Sequence, residues 1–485
     1  MNTYIGIDLG TSSVKLLLVT ANGEILNSVS KEYPIAYPES GWSEQDPEDW
    51  LSATKAGLEE LMNGHTRYEV KGISFGGQMH GLVILDKLDR VIRPAILWND
   101  GRTQKQTEYL NDVIGKERLS RYTANIAFAG FTAPKLLWVK ENEPQNFERI
   151  AKIMLPKDYL AYMLTGEFVT DYSDASGMLL LDVERKRWSK EMLNVCGVRE
   201  NQLPRLCESY DRIGQVRDEF DYPNAIVTAG AGDNAAAAIG TGTVENGACN
   251  ISLGTSGTVF IAQDVFSVDE ENALHAFAHA NGKFHVMGCI LSAASCNKWW
   301  MEKALQTSDF EREQDGLEKL LGENEVFFLP YLMGERCPHN DVSARGAFIG
   351  MRPDTDRKKL TLSVLEGVAF ALRDCVEIAK KSGLKISSTK ICGGGAKSAL
   401  WKKIIANVLG ASVQTLCVEE GPAYGAAILA MVGAGEYSDV ENAARTIVKC
   451  ADEILPTPAL VEKYAQKYQI FKRLYPSLKN VFPEM

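Results

Sequence analysis

The chain opens with Ile5-Gly6-Ile7-Asp8-Leu9-Gly10-Thr11-Ser12-Ser13, in which an apolar run leads to one carboxylate, one glycine and three hydroxyl groups. A second apolar run over residues 14–19 follows at once, so the stretch predicts two β-strands joined by a tight turn. Backbone N–H groups and hydroxyls in such a turn can bind phosphate oxygens, and the carboxylate can hold hydrated Mg²⁺. A capped turn with a satisfied aspartate is the alternative interpretation.

The core of this stretch recurs once, in Asn250-Ile251-Ser252-Leu253-Gly254-Thr255-Ser256-Gly257. Leu-Gly-Thr-Ser is common to both copies, and each copy lies between short runs of β-forming residues. Ser252 stands where the first copy has Asp8, so only the first copy carries an acid. The duplication favours phosphate binding and predicts two related hairpins that face one phosphate-bearing ligand from two domains.

The length of the chain bounds its domain organisation. A chain of 485 residues is too long for one hydrophobic core and predicts two large domains. We place them at residues 1–245 and 246–485, because the glycine-rich stretch 240–247 has the composition of a crossing between domains.

Charge and cysteine content exclude several classes of function. The net charge is −11 and no long basic run occurs, so we expect neither nucleic acid nor a membrane surface as a partner. No apolar stretch approaches the roughly 18–20 residues of a membrane span, and because a strand pattern follows Met1 directly, we expect no signal peptide. The ten cysteines form no Cys-x-x-Cys pair, which indicates reduced thiols in a cytoplasmic protein.

Hydrophobic patterning alternates strands with helices in both halves of the chain. Asn22-Gly23 predicts a second tight turn, and Asp46 before Pro47 predicts the start of a helix. Residues 156–159 and 173–177 have the composition of loops. Several strands end in glycine-rich turns at helix starts. Ligands of α/β sheets lie beyond the carboxyl ends of the strands, so these turns predict one cleft.

A second aspartate stands at such a turn, in Gly230-Ala231-Gly232-Asp233-Asn234-Ala235. The flanking glycines let the backbone approach a ligand. A carboxylate within hydrogen-bond reach of a hydroxyl in a water-poor cleft can serve as a general base. A simple helix N-cap is the alternative, but the cleft and a partner carboxylate at Asp8 favour the catalytic interpretation of Asp233.

Two polar stretches follow apolar strands and suit a hydroxyl-rich ligand, namely Gln78-Met79-His80-Gly81 and Trp98-Asn99-Asp100-Gly101-Arg102. A structural histidine is the alternative for the first stretch, and a solvated turn is the alternative for the second. A nucleotide would bind in an uncommon manner, because the sequence has neither a Walker A motif nor Gly-x-Gly-x-x-Gly with a downstream acid after a strand.

Together these stretches resemble the FGGY family of carbohydrate kinases over nearly the whole chain. Six stretches carry the resemblance: Asp8–Ser12, Gly77–Gly81, Trp98–Arg102, Gly232–Ala235, Ser252–Gly257 and Gly393–Ala396. Three others are similar to members of the family that act on xylulose: Phe131–Trp138, Leu155–Tyr159 and Leu291–Ser295. The resemblance implies an α/β fold of two duplicated ribonuclease-H-like domains of the actin/sugar-kinase/Hsp70 type, with a cleft between them.

The resemblance also implies roles at the sugar end of that cleft. Asp233 would be the general base that accepts the proton of the sugar's terminal hydroxyl. Met79 and His80 would contact the ketose. The further expected sugar contacts are Asn99, Asp100 and Asn234.

ATP and Mg²⁺ are the cofactors that the resemblance implies. Asp8 would support Mg²⁺ and the transferring phosphoryl group. The residues expected at the γ-phosphate are Gly10, Thr11 and Ser12, and those expected at the β-phosphate are Gly254, Thr255 and Ser256. The residues expected to border the adenosine are Gly394, Gly395 and Ala396.

Two positions depart from the family's pattern. Cys337 stands where a threonine is expected after Gly-Glu-Arg, and Ala231 stands where a glycine is expected before Gly232. Neither change removes a reacting group.

The implied reaction is ATP + D-xylulose → ADP + D-xylulose 5-phosphate. Residues 1–245 would carry the sugar site and the base, and residues 246–485 would carry the nucleotide site. The alternatives are another substrate of the family (ribulose, rhamnulose or gluconate, with glycerol disfavoured by Gln-Met-His-Gly) and a non-catalytic actin-like nucleotide-binding protein or sugar sensor. The expected partners are the ketose and ATP, and a homodimer is compatible with the sequence.

Overall fold

Two seven-stranded sheets organise the computed structural model, which describes residues 2–65 and 68–485. The strands of the first sheet are β1 Asn2–Leu9, β2 Ser13–Thr20, β3 Ile25–Glu32, β4 Glu69–Gly77, β5 Arg212–Gln215, β6 Ile226–Thr228 and β7 Ala231–Gly232. The strands of the second sheet are β8 Cys249–Leu253, β9 Gly257–Gln263, β10 His275–Ala278, β11 Phe284–Ile290, β12 Ser388–Cys392, β13 Ser412–Leu416 and β14 Cys450–Ile454.

The two sheets share one plan. The strand order is β5-β6-β4-β1-β2-β3 in the first sheet, where β7 also pairs with β4, and β10-β11-β9-β8-β12-β13-β14 in the second. In each sheet an antiparallel hairpin, β1–β2 or β8–β9, is followed along the sheet by a parallel neighbour, β4 or β12. The prediction of a duplicated α/β architecture is confirmed.

Helices cover both sheets. The α-helices are α1 Pro47–Leu61, α2 Gln104–Glu108, α3 Lys116–Thr123, α4 Thr132–Asn142, α5 Pro144–Arg149, α6 Pro156–Thr165, α7 Tyr172–Ala175, α8 Lys190–Cys196, α9 Asp233–Gly240, α10 Ala294–Trp299, α11 Phe310–Gln314, α12 Arg357–Lys381, α13 Ala399–Leu409, α14 Gly421–Gly433, α15 Val440–Ile447 and α16 Pro458–Leu478. Within residues 2–65 and 68–485, no helix has the length and apolarity that crossing a lipid bilayer requires.

Local signals account for the first elements. Gly23 adopts a φ of 87°, which suits the tight turn between β2 and β3. Asp46 is the N-cap of α1, where its carboxylate accepts a hydrogen bond from the N–H of Glu48 at 3.0 Å. Both predictions are confirmed.

Residues 156–159 and 173–177 are helical, so the prediction of loops there is wrong. Pro156 takes the first position of α6, and the carboxylate of Asp158 accepts a hydrogen bond from the N–H of Leu155 at 3.1 Å. Asp171 caps α7 by accepting a hydrogen bond from the N–H of Ser173 at 2.9 Å. Proline, serine and aspartate serve turns and helix starts alike, so composition did not separate the two.

Helix α14 comes from the second half of the chain but packs against β1 and β4 of the first sheet and against α9. A side chain on Gly6 would overlap the backbone of Ala423, and one on Gly425 would overlap the backbone of Ala236. The contact therefore requires glycine at both positions. Residues 421–433 of α14 thus pack on the first sheet although they lie far beyond residue 245. The domain boundary at residue 245 stays a prediction.

Candidate active site

Two carboxylates lie at the carboxyl ends of strands on either side of β4. Asp8, near the end of β1, pairs with Gly76 of β4. On the opposite side of β4, Gly232 of β7 pairs with Gly77, and Asp233 follows as the first residue of α9. The fold thus brings Asp8 and Asp233 to one edge of the first sheet.

Burial raises the pKa of both carboxyl groups. The pKa of Asp8 rises to about 7, with a further contribution from the negative charge of Asp233 and an opposing one from Lys15. The pKa of Asp233 rises to about 6, although its carboxylate accepts hydrogen bonds from the backbone N–H of Asn234 at 2.6 Å and from its side-chain amide at 2.8 Å. A carboxylate with a pKa close to neutral pH suits a general base.

Asp8 is open to a ligand on its carboxylate side. No residue in 2–65 or 68–485 donates a hydrogen bond to this carboxylate, and its pKa is set by burial and by the charges of Asp233 and Lys15. Lys15, its antiparallel partner in β2, forms an ion pair with Glu420 at the start of α14. The Asp8 oxygens therefore stay available to a cation.

The turn after Asp8 has its carbonyl groups tied back into the protein. The Gly10 carbonyl accepts a hydrogen bond from the Tyr33 hydroxyl at 2.5 Å, and the Thr11 carbonyl accepts one from the Gln45 amide at 2.6 Å. Ser12 is exposed. Because these carbonyl oxygens point into the protein, their negative dipole ends do not face the ligand. The hydroxyl groups of the turn are left to face an anion, as a phosphate site requires.

Met79 lies beside the turn that carries Asp233. The Met79 sulfur is 4.0 Å from the side-chain nitrogen of Asn234, and a Cβ on Gly232 would lie 3.0 Å from Met79 Cγ. The structure therefore brings Met79, Asn234 and Asp233 together, as the sequence predicts for one ligand-binding surface.

His80 has a strained backbone and a neutral ring. Its φ of 70° is uncommon outside glycine, and such strain concentrates at functional sites. The ring stacks on Phe131 with centroids 4.6 Å apart, and burial with the nearby charge of Lys135 lowers its pKa to about 3. Nδ1 lies 2.8 Å from the Gly177 carbonyl oxygen, which places the single proton on Nδ1 and leaves Nε2 as an acceptor for a ligand hydroxyl.

The expected sugar contact at Asp100 needs correction. Its buried carboxylate accepts hydrogen bonds from the Ser43 N–H at 2.6 Å and from the Arg102 guanidinium at 2.7 and 2.9 Å. Because protein donors occupy both oxygens, Asp100 positions Arg102 rather than a ligand. The side chain of Asn99 is exposed, and its sugar contact stays a prediction.

Trp98 is a further candidate for the site, to which the sequence analysis gave no role of its own within the 98–102 stretch. Its side chain is 45% exposed, and its indole N–H donates a hydrogen bond to the Thr11 hydroxyl at 2.9 Å. This bond connects the 98–102 stretch with the first phosphate-type turn. Its aromatic character beside two polar residues was the available signal.

The second Leu-Gly-Thr-Ser turn joins β8 to β9 in the second sheet and is held by the start of α10. The Gly254 carbonyl accepts a hydrogen bond from the Ala294 N–H at 2.8 Å, and the Thr255 carbonyl accepts one from the Ser295 hydroxyl at 2.7 Å. Thr255 is exposed and Ser256 is half-buried. The prediction of two related hairpins, one in each sheet, is confirmed.

The glycine turn after β12 lies next to this second hairpin. Cys392 at the end of β12 pairs with Ser252 of β8, and residues 394–397 then form a 3₁₀ turn. Gly395 and Ala396 are buried, with Gly395 packed on Leu253, whereas Gly394 is exposed. The predicted β-phosphate and adenosine residues are therefore neighbours.

A buried ion cluster beside the carboxyl end of β4, where Lys157 packs against Gly77, is a feature that the sequence analysis missed. The Lys157 ammonium lies 2.6 Å from an Asp158 oxygen, 2.9 Å from one of Asp171 and 3.7 Å from one of Asp174. All four side chains are buried. Lys157 and Asp158 lie in one of the segments predicted as loops and Asp174 in the other, so these ion pairs depend on how the two segments fold.

Comparison with known proteins gives the family. Residues 3–240 match the N-terminal domain of the FGGY family of carbohydrate kinases, and residues 249–434 match its C-terminal domain. The chain belongs to this family. The FGGY kinase is similar to the xylulose kinase of Bacillus subtilis (strain 168), with 38% identity over 490 residues that cover 99% of this chain and 98% of the relative.

Two crystal structures show how far the fold of this FGGY kinase is shared. A xyloylose kinase from Brucella ovis has 41% sequence identity and a TM-score of 0.94, with 99% of this chain and 100% of that chain covered. A gluconate kinase from Lactobacillus acidophilus has a TM-score of 0.95 at 24% identity, with 100% and 99% covered. The second likeness concerns the fold alone, so the fold by itself does not select the sugar.

Membership of the FGGY kinases implies ATP and a divalent metal. Among residues 2–65 and 68–485, no group of three or more histidine, cysteine, aspartate or glutamate side chains is arranged to hold a metal ion. A single free carboxylate fits a Mg²⁺ ion, because this ion keeps several waters and is bound by one or two carboxylates plus substrate phosphates. Asp8 supplies such a carboxylate beside a phosphate-type turn.

Proposed function

We propose that this FGGY kinase transfers the γ-phosphoryl group of ATP to the terminal hydroxyl of D-xylulose, which gives D-xylulose 5-phosphate. The observation that supports D-xylulose as the substrate is the 38% identity to a xylulose kinase over nearly the full length of both chains. The geometry supports the chemistry, since a candidate base, a free carboxylate and a phosphate-type turn share one end of the first sheet.

The sugar would lie against Met79, His80 and Asn234, with its terminal hydroxyl at Asp233. The neutral His80 ring can accept a hydrogen bond at Nε2, so it suits a sugar hydroxyl rather than a carboxylate. The amide of Asn234 is both a hydrogen-bond donor and an acceptor. Asn99 would add a polar contact from the exposed end of the 98–102 stretch.

Asp233 would accept the proton of the attacking hydroxyl as the new P–O bond forms. Phosphoryl transfer passes through a loose transition state and needs little covalent work from the protein, so positioning and charge stabilisation dominate. The hydrogen bonds from Asn234 orient one Asp233 oxygen, and the other faces the hydroxyl.

Asp8 would hold Mg²⁺ through water or directly, and the ion would neutralise phosphate charge when it is bound. The groups that we place at the γ-phosphate are Gly10, Thr11 and Ser12. Those that we place at the β-phosphate are Gly254, Thr255 and Ser256, and those at the adenosine are Gly394, Gly395 and Ala396. Trp98 would fix the Thr11 hydroxyl through its indole N–H.

The substrate is tested by ADP release with a panel of D-xylulose, D-ribulose, L-rhamnulose, gluconate and glycerol. We expect D-xylulose to give the highest kcat/KM. A higher kcat/KM with any other member of the panel would overturn the substrate assignment and leave the kinase family unchanged.

Activity should depend on the protonation of Asp233. Because burial raises the pKa of this group to about 6, kcat should fall as the pH drops below about 6, since a protonated carboxyl cannot accept the hydroxyl proton. The measurement is kcat at saturating xylulose and ATP between pH 5 and pH 9, in roughly half-unit steps. The control is the same pH profile at a tenfold higher Mg²⁺ concentration. A fall in kcat caused by protonation of Asp8 should move to lower pH, whereas one caused by protonation of Asp233 should stay in place.

We also propose that two domains, meeting near residue 245, close over the ligands. The two hairpin turns belong to different sheets, and closure would exclude water and limit ATP hydrolysis. Small-angle X-ray scattering should show a smaller radius of gyration with xylulose and a non-hydrolysable ATP analogue. Identical profiles with and without these ligands would contradict closure. The same experiment, with light scattering, tests the homodimer.

A further inference from the structure

The peptide between Ala231 and Gly232, one peptide before Asp233, is anchored to a buried serine. The N–H of Gly232 donates a hydrogen bond to the Ser173 hydroxyl oxygen at 3.2 Å. Ser173 is fully buried in α7, which packs against β7 and α9. This bond acts on the last residue of β7, one peptide away from the carboxylate.

The Ser173 hydroxyl is itself fixed by a charged group. It donates its proton to Asp171 Oδ2 at 2.5 Å, so its lone pairs are left for the Gly232 N–H. Asp171 Oδ1 is in turn 2.9 Å from the Lys157 ammonium. A buried ion pair is costly to break, because either charge would be left without a partner. The anchor is therefore rigid.

Met79 packs against Gly232 at the place where a side chain would stand, and Asn234 donates hydrogen bonds to the Asp233 carboxylate itself. Ser173 is the group that binds the backbone N–H of Gly232. If this bond were lost, β7 could shift along β4, with which it pairs through only two residues. A shift of about 1 Å in a reacting group can cost about 10²-fold in rate.

We propose that Ser173 is a positioning residue for the general base. Its hydroxyl connects the Lys157–Asp171 ion pair to the N–H of Gly232 and so holds the Asp233 carboxylate in place. The inference rests on the role of Asp233 proposed above. It predicts that Ser173 affects the chemical step and not the affinity for the sugar.

The chain offers a matched control in Ser209. The Ser209 hydroxyl donates to the same Asp171 oxygen at 2.7 Å, and Ser209 is buried like Ser173. The Ser209 hydroxyl does not reach Gly232. Removing either hydroxyl deprives Asp171 of one hydrogen bond, but only the Ser173 change frees the Ala231–Gly232 peptide.

The experiment compares Ser173→Ala with Ser209→Ala in the full-length enzyme. Active sites are counted by calorimetric titration with D-xylulose, and kcat is expressed per site. We expect Ser173→Ala to lower kcat by about 10- to 100-fold with the Kd for xylulose within about twofold of wild type, and Ser209→Ala to keep kcat within about threefold. A similar loss of kcat in both variants, or none in Ser173→Ala, would overturn the inference.

Two further variants separate the possible failures. If Ser173→Ala does not fold, Ser173→Cys replaces it, because the thiol is a weaker hydrogen-bond acceptor and should lower kcat in the same direction. Asp233→Asn is measured in parallel. An active Asp233→Asn would remove the base role itself, whereas an inactive Asp233→Asn beside an unaffected Ser173→Ala would reject only the role of Ser173.

Discussion

Replacing Asp233 with asparagine should lower kcat for D-xylulose by at least about 10²-fold, the low end for general-base catalysis, while sugar binding persists. Asparagine has nearly the same shape as aspartate, but its amide cannot accept the hydroxyl proton. The Kd for xylulose from calorimetry should stay within about threefold of wild type, because Met79, His80 and Asn234 are unchanged. A kcat near that of wild type would remove Asp233 from the base role.

The same variant should not be less stable. Burial raises the pKa of Asp233 from 3.8 to about 6, so the folded protein binds this proton more tightly than the unfolded chain does. The resulting stabilisation is complete below about pH 4 and is lost as the pH rises through about 6. At pH 7.5 Asp233 is charged, and burying this charge lowers the stability of the folded protein. The asparagine variant carries no charge here, so its free energy of unfolding should be equal or higher, by at most about 3 kcal/mol. Loss of both stability and activity would indicate misfolding instead.

Replacing Asp8 with alanine should lower kcat at every Mg²⁺ concentration, by about 10²-fold or more if the carboxylate stabilises charge at the transferring phosphoryl group. Asp8 has free carboxylate oxygens beside the first turn. A nearby cation favours the charged form of this carboxylate and so lowers its raised pKa. The measurement is kcat at saturating ATP over a wide range of Mg²⁺ concentration. Full rescue by excess Mg²⁺ would show that Asp8 matters only for metal affinity.

Ser252→Ala is the matched control for this variant. Ser252 occupies the position of Asp8 in the second hairpin but carries no charge, and it pairs with Thr258 across that hairpin as Asp8 pairs with Lys15. We expect the kcat of Ser252→Ala to stay within about threefold of wild type. If the variant is less efficient, the KM for ATP should rise while kcat stays the same. An equal loss in the two variants would mean that both turns act through backbone geometry alone.

The parts of the site that follow from local sequence could be predicted. The turn after Asp8, its copy at Gly254 and the strand-to-helix junction at Asp233 are each contained in fewer than ten consecutive residues. Glycine, hydroxyl and carboxylate side chains in such short runs restrict the backbone and expose N–H groups, so the pattern alone indicates the chemistry.

The parts that depend on distant pairing could not be predicted. Asp100 accepts hydrogen bonds from Ser43 and Arg102, and Lys157 of α6 pairs with Asp171, which lies just before α7. A sequence shows that these charges exist but not which of them meet. The corrected role of Asp100 and the missed cluster around Lys157 both have this cause.

The packing of α14 against the first sheet has a consequence for synthesis of the protein on the ribosome. Residues 421–433 cover β1 and β4, yet they leave the ribosome roughly 350 residues after β4, which at 5–20 residues per second is a delay of about 20–70 s. During that interval one face of the nascent first sheet, including the strands that carry Asp8 and Gly77, lacks its partner. The candidate active site therefore reaches its final form only when translation of the chain is nearly finished.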